Sequence, residues 1–220
     1  MSLRLDVIWK EAPEFAVGLG NTVWLCGVAM ILSLILGALL VAPLTSRNRA
    51  LKGMVQALVD AGRCVPFLLL TYIVYFALPA LGIVLDKWTA ALTTLVLYNA
   101  AYMAEILRAG WAGVPAGQTE AARAFGYSGL LLLWRIMFPQ IWRRSIPLVI
   151  NEMTLLIKAS PAIAVIGVVD LTRKARQIAE ATYEPLPAFV SAVIVYGVVL
   201  ILLVVGGHLL ERRFAGHGSA

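Results

Sequence analysis

Charge is what this sequence has least of. Only 14% of its 220 residues are charged, against about 25% in a soluble domain. Cysteine is scarce too: Cys26 and Cys64 are the only two. They form no Cys-x-x-Cys pair and no cluster with histidine, so no zinc site and no redox pair is readable. Both sit in or beside apolar runs and read as buried thiols. There are two histidines, His208 and His217, at or beyond the end of the last apolar run. No His-Glu-x-x-His, no Gly-x-Ser-x-Gly and no Gly-x-x-x-x-Gly-Lys-Ser/Thr occurs. The chain therefore offers no zinc-protease helix, no nucleophile elbow and no loop that cradles nucleotide phosphates. No catalytic residue, no metal ligand and no cofactor of its own is assigned. The composition excludes an ordinary soluble enzyme, a disordered tail and a disulfide-stapled secreted module.

What the chain has is apolar length: 61% of its residues are hydrophobic. A helix needs about 20 apolar residues to cross a bilayer core. Residues 15–46, 64–85, 88–104 and 185–210 carry no charge, and 145–169 carry only Glu152 and Lys158. Five spans are predicted, near 20–44, 56–80, 88–111, 145–168 and 187–210. The apolar stretch 129–142 holds charges and Pro139, and reads as a helical arm leading into span four. The fold class is thus all-α integral membrane, with five transmembrane helices. Residues 1–19 read as an outward-facing segment, 20–210 as one transmembrane domain, and 211–220 as a cytoplasmic tail. The first twenty residues mix Arg4 and Lys10 with Asp6, Glu11 and Glu14, unlike a basic cleavable leader.

The net charge of +6 speaks about topology, not nucleic acid. With the N-terminus outside, the cytoplasmic ends hold Arg47, Arg49, Lys52, Arg63, Arg108, Arg123, Arg135, Arg143, Arg144, Arg212 and Arg213, eleven in all. Six lie outside: Arg4, Lys10, Lys87, Arg173, Lys174 and Arg176. The excess favours this orientation. Trp9, Trp88, Trp111, Trp134 and Trp142 lie at predicted boundaries, where tryptophan anchors at the interface.

The longest extramembrane stretch, 112–144, is cytoplasmic in this reading. It opens Val114-Pro115-Ala116-Gly117-Gln118 and continues Thr119-Glu120-Ala121-Ala122-Arg123-Ala124-Phe125-Gly126. Pro115 suits a first helical turn, and Glu120 the positive N-terminal end. Gly126 suits a left-handed stop, and Ser128 a cap for the next helix. The prediction is a short helix between two breaks. Its alanines let another protein approach closely, and Phe125 supplies an aromatic anchor. A connector helix lying on the bilayer fits the same residues.

Glu120-Ala121-Ala122, three residues, Gly126, nine residues, then Ile136-Met137-Phe138-Pro139 resembles the EAA loop of bacterial ABC importer permeases. Phe138 replaces the usual Leu. Arg63-Cys64-Val65-Pro66 with Val74-Tyr75-Phe76-Ala77-Leu78-Pro79, Ala101 to Gly110, and Ile166-Gly167-Val168-Val169-Asp170-Leu171-Thr172 resemble permeases of the polar amino acid (histidine/glutamine) type. Roughly residues 18–213 fit. The resemblance implies the type I importer permease (MetI-like) fold in the bacterial inner membrane. It implies a second permease, itself or a paralogue, separate ABC ATPase subunits that bind ATP and Mg, and an extracytoplasmic solute-binding protein. It also implies that Gly117, Glu120, Ala121, Ala122, Phe125 and Gly126 form the ATPase-coupling joint.

A charge within a span costs about 2.5–3.5 kcal/mol, so Glu152 and Lys158 should face protein or water. Six residues apart, they stand about 120° apart and cannot form the usual four-residue pair. Asn151, beside Glu152, is a candidate for the same cavity. Asn99 and Tyr102 lie three apart, on one predicted face, and are candidates to hydrogen-bond a solute. These five form the predicted substrate path; pairing of Glu152 with an arginine of span three, and snorkelling of Lys158, are the structural alternatives. Glu105 and Arg108 read as an ion pair. Where the family commonly has Lys-Asp-Thr-Ser, this chain has Lys158-Ala159-Ser160-Pro161. The missing acid leaves open a permease for another solute, such as methionine, a peptide or an opine-like derivative. A secondary transporter would need more spans and a repeat.

Overall fold

A computed structural model of the chain describes residues 10–215. Arg4, Asp6, Trp9, His217 and the outermost parts of the two terminal segments lie outside the described residues, as does the side chain of Arg213. Nine helices are described: α1 (Ala12–Leu44), α2 (Arg49–Cys64), α3 (Phe67–Tyr72), α4 (Lys87–Ala112), α5 (Ala116–Ala124), α6 (Gly129–Leu132), α7 (Phe138–Ala159), α8 (Leu171–Thr182) and α9 (Pro185–Ala215). Four segments are long and apolar enough to cross a membrane, and a bent pair makes a fifth.

α1 and α4 form the central seam. α1 runs 33 residues, about 50 Å at helical rise, more than a bilayer core requires. Ala29, Ser33 and Gly37, four residues apart, turn inward and are buried. A Cβ on Gly37 would stand 2.6 Å from Met103 Cβ and 2.8 Å from the Ala104 nitrogen. Small residues thus bring two backbones into direct contact, as apolar helices require when lipid gives them no hydrophobic reason to associate. Ser33 Oγ donates across the seam to the Val96 carbonyl at 3.2 Å.

The predicted second span is not one helix. α2 ends at Cys64, Val65 and Pro66 are extended, and the chain bends by 102° before continuing through α3 to Leu81. Proline disfavours a helical residue before it. Asn48 caps α2 through its side chain, accepting from the Ala50 and Leu51 amides. Only Val55 and Val59 are buried on α2, against Leu44, Ala101 and Ala104. Cys64 is exposed at the bend, whereas Cys26 is buried. After α3 the backbone passes through a π-turn (Ile73–Ala77) and a tight turn (Leu78–Leu81), and stops at Gly82 with φ +80.

The arm 129–142 does not stand apart from span four. α6 runs through a π-turn (Leu133–Met137) directly into α7. α7 ends at Ala159, nine residues short of the predicted boundary. Pro161 withholds the amide that would reach the Ile157 carbonyl, and Ser160 Oγ donates to that carbonyl instead, at 2.9 Å. A 3-10 turn, Ser160–Ile166, follows.

At the far end α8 is strapped across α1 and α9. The buried Thr22 Oγ1 accepts from the Leu171 amide at 3.1 Å, and Asn21 Nδ2 donates to the Val169 carbonyl at 2.7 Å. Lys174 pairs with Glu14. Asp170 caps α8, accepting from the Arg173 amide at 2.8 Å and from the Tyr196 hydroxyl at 3.4 Å. Burial pushes the Asp170 carboxyl up from the ordinary carboxylate range.

Candidate functional site

Two features stand out: a short exposed helix at one end of the bundle, and a polar strip running inward from it.

α5 spans nine residues. Pro115 precedes it as the cap residue, one position outside the expected first turn. The helix ends as Gly126 dictates. Gly126 has φ +86, its amide bonds to the Arg123 carbonyl at 2.9 Å, and the Tyr127 amide bonds to the Ala122 carbonyl at 3.0 Å. This double closure needs a left-handed residue, which glycine adopts without steric cost. Ser128 stands at the predicted cap position, but its side chain makes no capping bond.

Gly117, Glu120 and Ala121 are exposed, and Phe125 is 84% exposed. Ala122 is different: it turns inward and packs with Val41, Leu107, Leu132, Met137 and Ile141. Its small size serves its own chain, packing α5 on the arm formed by α6 and the π-turn, inside a cluster that also takes in ends of α1, α4 and α7, rather than an outside groove. Two further glycines tighten this end. A Cβ on Gly110 would meet Ser145 Oγ at 2.8 Å, and one on Gly113 would meet Arg144 Nη1 at 2.6 Å. Beyond α5, Phe125, Gly126, Tyr127, Leu131 and Arg135 line a recess of about 300 Å³.

The predicted substrate-path residues do not come together as one face. Asn99 is fully buried against α1, with Nδ2 3.4 Å from Met30 Sδ and Oδ1 without a partner among the described residues. Tyr102 looks elsewhere: its hydroxyl donates to the Arg63 carbonyl at 3.3 Å and lies 3.4 Å from the Tyr98 hydroxyl. The three-residue step turns one side chain to the seam and the other to α2. On α7, Glu152 is buried while Asn151 and Lys158 are exposed, so Asn151 does not share its surroundings. Glu152 makes no ion pair or hydrogen bond among the described residues. The arginine of span three is taken: Arg108 Nε and Nη2 bond Glu105 at 2.9 and 2.5 Å.

Arg63 stands beside Tyr102, 5.6 Å from its ring centroid. Tyr102 lies six residues before Arg108, about 9 Å away along α4. The strip is therefore Gln56, Asp60 and Arg63 on α2, Tyr98, Tyr102, Glu105 and Arg108 on α4, with Glu152 beyond. The sequence reading missed Arg63, Asp60 and Tyr98. The signal was there: Lys52, Gln56 and Asp60 recur every four residues, and Tyr98 and Tyr102 are four apart, which puts each set on one helix face.

Apolar helices long enough to cross a bilayer, a polar strip among them and a short helix exposed at one end define a membrane permease. The chain belongs to the family of binding-protein-dependent transport system inner membrane components, which matches residues 19–216. It is similar to the arginine transport system permease protein ArtQ of Bacillus subtilis (strain 168), 34% identical over 214 residues, covering 97% of this chain and 98% of that protein. It is similar to the nopaline transport system permease protein NocM of Agrobacterium fabrum (strain C58 / ATCC 33970), 30% identical over 204 residues, covering 88% and 85%. Its fold matches a crystal structure of an amino acid ABC transporter with histidines, at TM-score 0.89 and 29% identity, over 97% of this chain and 100% of that one. The inward facing methionine ABC transporter MetNI shares the fold, at TM-score 0.77 and 19% identity, over 91% of this chain and 95% of that one. The type I importer permease fold expected from the sequence is the fold found, and the protein is a multi-pass inner membrane component.

Proposed function

We propose that this chain is the permease subunit of an ATP-driven importer for polar amino acids or close derivatives, and that α5 couples it to a separate ATPase. The observation that carries this reading is the joint. The spacing Glu120-Ala121-Ala122 to Gly126 is folded as an exposed two-turn helix, closed by Gly126 at φ +86, with Phe125 standing 84% exposed at its tip. An aromatic side chain left in solvent beside a recess is the shape of a docking anchor. The cargo class rests on relatives whose names specify arginine, nopaline, glutamine and cystine. Each of these solutes carries an ammonium and a carboxylate.

In this reading the ATPase subunits bind ATP and Mg, and the chain binds neither. Closure of the ATPase pushes α5. Because Ala122 packs α5 on the arm that runs directly into α7, in one cluster with ends of α1 and α4, the push moves those helices as a body, a two-state rocking motion. A second permease, itself or a paralogue, completes the path, and a solute-binding protein delivers cargo from outside. The N-terminus faces outward and α5 faces the cytoplasm. Glu152 receives the ammonium of the solute. Ala159 contributes no acid, so recognition falls on Glu152 and on residues across the strip.

The test is reconstitution of the chain with its ATPase and binding protein in liposomes. Phe125→Ala should weaken the permease–ATPase complex by about thirtyfold, corresponding to about 2 kcal/mol for an aromatic anchor, and lower uptake with it. Wild-type complex affinity and uptake in Phe125→Ala would remove α5 from the coupling role.

A further inference from the structure

α2 and α4 bring four charges together in alternating order. Asp60 Oδ1 lies 3.7 Å from Arg63 Nη1, and Glu105 pairs with Arg108 at 2.5 Å. α2 packs on α4 here: the Arg63 carbonyl accepts from the Tyr102 hydroxyl, and a Cβ on Gly62 would stand 3.3 Å from Ala101 Cβ. The result is a square of two ion pairs on neighbouring helices, Asp60–Arg63 on α2 and Glu105–Arg108 on α4.

The two pairs are unlike. Glu105–Arg108 is bidentate, with side chains 22% and 33% exposed. Asp60–Arg63 is a single long contact, with side chains 53% and 37% exposed. A pair of the second kind contributes about 0–1 kcal/mol, so its partners exchange readily. Arg63 is nevertheless held at its root. Its carbonyl accepts the Tyr102 hydroxyl, and its guanidinium lies 5.6 Å from the Tyr102 ring centroid. Gln56 Nε2 steadies Asp60 Oδ1 from the next turn, at 3.1 Å. Tyr102 meets Tyr98, which packs in one cluster with Met153, the neighbour of Glu152. The polar strip therefore joins Glu152 to the square. Four charges gathered on two packed helices of an apolar protein need an explanation, because each is costly beside lipid.

We propose that the Asp60–Arg63 corner of this square is a transit site for a zwitterion, one stage beyond Glu152 toward the α5 end. The inference rests on the importer reading above. The solute's carboxylate takes Arg63 from Asp60, and its ammonium takes Asp60. The exchange is ion pair for ion pair, so no net charge is left unpaired at any stage. Glu105–Arg108 stays closed as a fixed wall. A solute whose carboxylate is amidated lacks the group that releases Arg63, and it stalls.

The test uses the complete complex, chain, ATPase and binding protein, in liposomes. The probe is whichever of L-arginine, L-glutamine and L-cystine the wild type takes up, with its α-amide as competitor. Arg63→Gln should lower uptake about tenfold, the scale of one charged hydrogen bond, while ATPase stimulation by loaded binding protein stays within about twofold. It should also erase the preference for the acid over the amide, a readout that a merely structural role leaves unchanged. Asp60→Asn should lower uptake similarly, and the double variant should be no worse than either, because the two act as a unit. If Arg63→Gln fails to assemble, Arg63→Lys and Asp60→Asn carry the same comparison. Normal uptake and normal acid preference in assembled variants overturn the transit site alone. A wild type that takes up none of the three while variants assemble normally overturns the importer reading and the site with it.

Discussion

Gly37 sits where α1 and α4 touch backbone to backbone, and replacing it with alanine tests the seam on which the bundle is built. In an open helix, glycine to alanine gains about 1 kcal/mol of helix stability. At Gly37 the new Cβ would lie 2.6 Å from Met103 Cβ, 2.8 Å from the Ala104 nitrogen and 2.9 Å from the Met103 carbonyl carbon. Two of these neighbours are backbone and cannot swing aside, so the helices must part. Overpacking of this kind costs about 1–3 kcal/mol, and parting also strains the Ser33 bond to the Val96 carbonyl. The net for Gly37→Ala is a loss of up to about 2 kcal/mol, or up to about 8 °C in Tm for a chain of this size. Gly53 on α2 provides the control, since nothing lies within 4 Å of a Cβ there. Gly53→Ala should hold or raise Tm. The assay is thermal unfolding of the purified chain in one detergent, followed by circular dichroism. A Gly37→Ala protein as stable as Gly53→Ala would refute the close seam.

Further expectations follow from single residues. Gly126→Ala puts a Cβ at φ +86 and should cost about 1–2 kcal/mol locally, lowering ATPase binding while leaving membrane insertion intact; co-purification measures it. Asn99→Leu removes a buried oxygen with no partner among the described residues and should leave Tm unchanged or raise it, since an apolar replacement of similar shape can be neutral. Ser160→Ala uncovers the Ile157 carbonyl that Pro161 leaves open, and should cost about 1 kcal/mol in the same unfolding assay. Asp86 caps α4, and the bonds from the Thr89 hydroxyl and the Thr89 and Trp88 amides hold its carboxyl below the ordinary carboxylate range. Its stabilising effect is present above the unfolded-state pKa and is lost as pH falls through the lowered folded value. Asp86→Asn should flatten the acid limb of Tm against pH in that window.

Much of the functional outline was legible from local signals. Pro115, Gly126 and the alanines between them bound α5 to within a residue, because turn chemistry depends on a few neighbouring positions. Pro66 stands inside the predicted span 56–80, and its local sequence fits a mild kink as well as a sharp bend. The 102° between the segments depends on the packing of α2 and α3 against α4. Pro161 was noticed as a departure from the family pattern, yet its effect on the end of α7 appears only with Ser160 folded back on Ile157.

By itself the sequence determined that the chain lives in a membrane, how many apolar segments it has and where the short helix α5 begins and ends. Hydropathy and backbone turn preferences are properties of consecutive residues, and they survive without knowledge of neighbours. Only the tertiary structure decided which side of each helix faces protein. In lipid, an apolar residue turned outward is as well solvated as one turned inward, so composition carries little trace of the packed face. That is why Ala122 turned out to hold its own bundle, why Asn99 and Tyr102 parted, and why Asp60 and Arg63 met Glu105 and Arg108 from a helix that the sequence had run straight through.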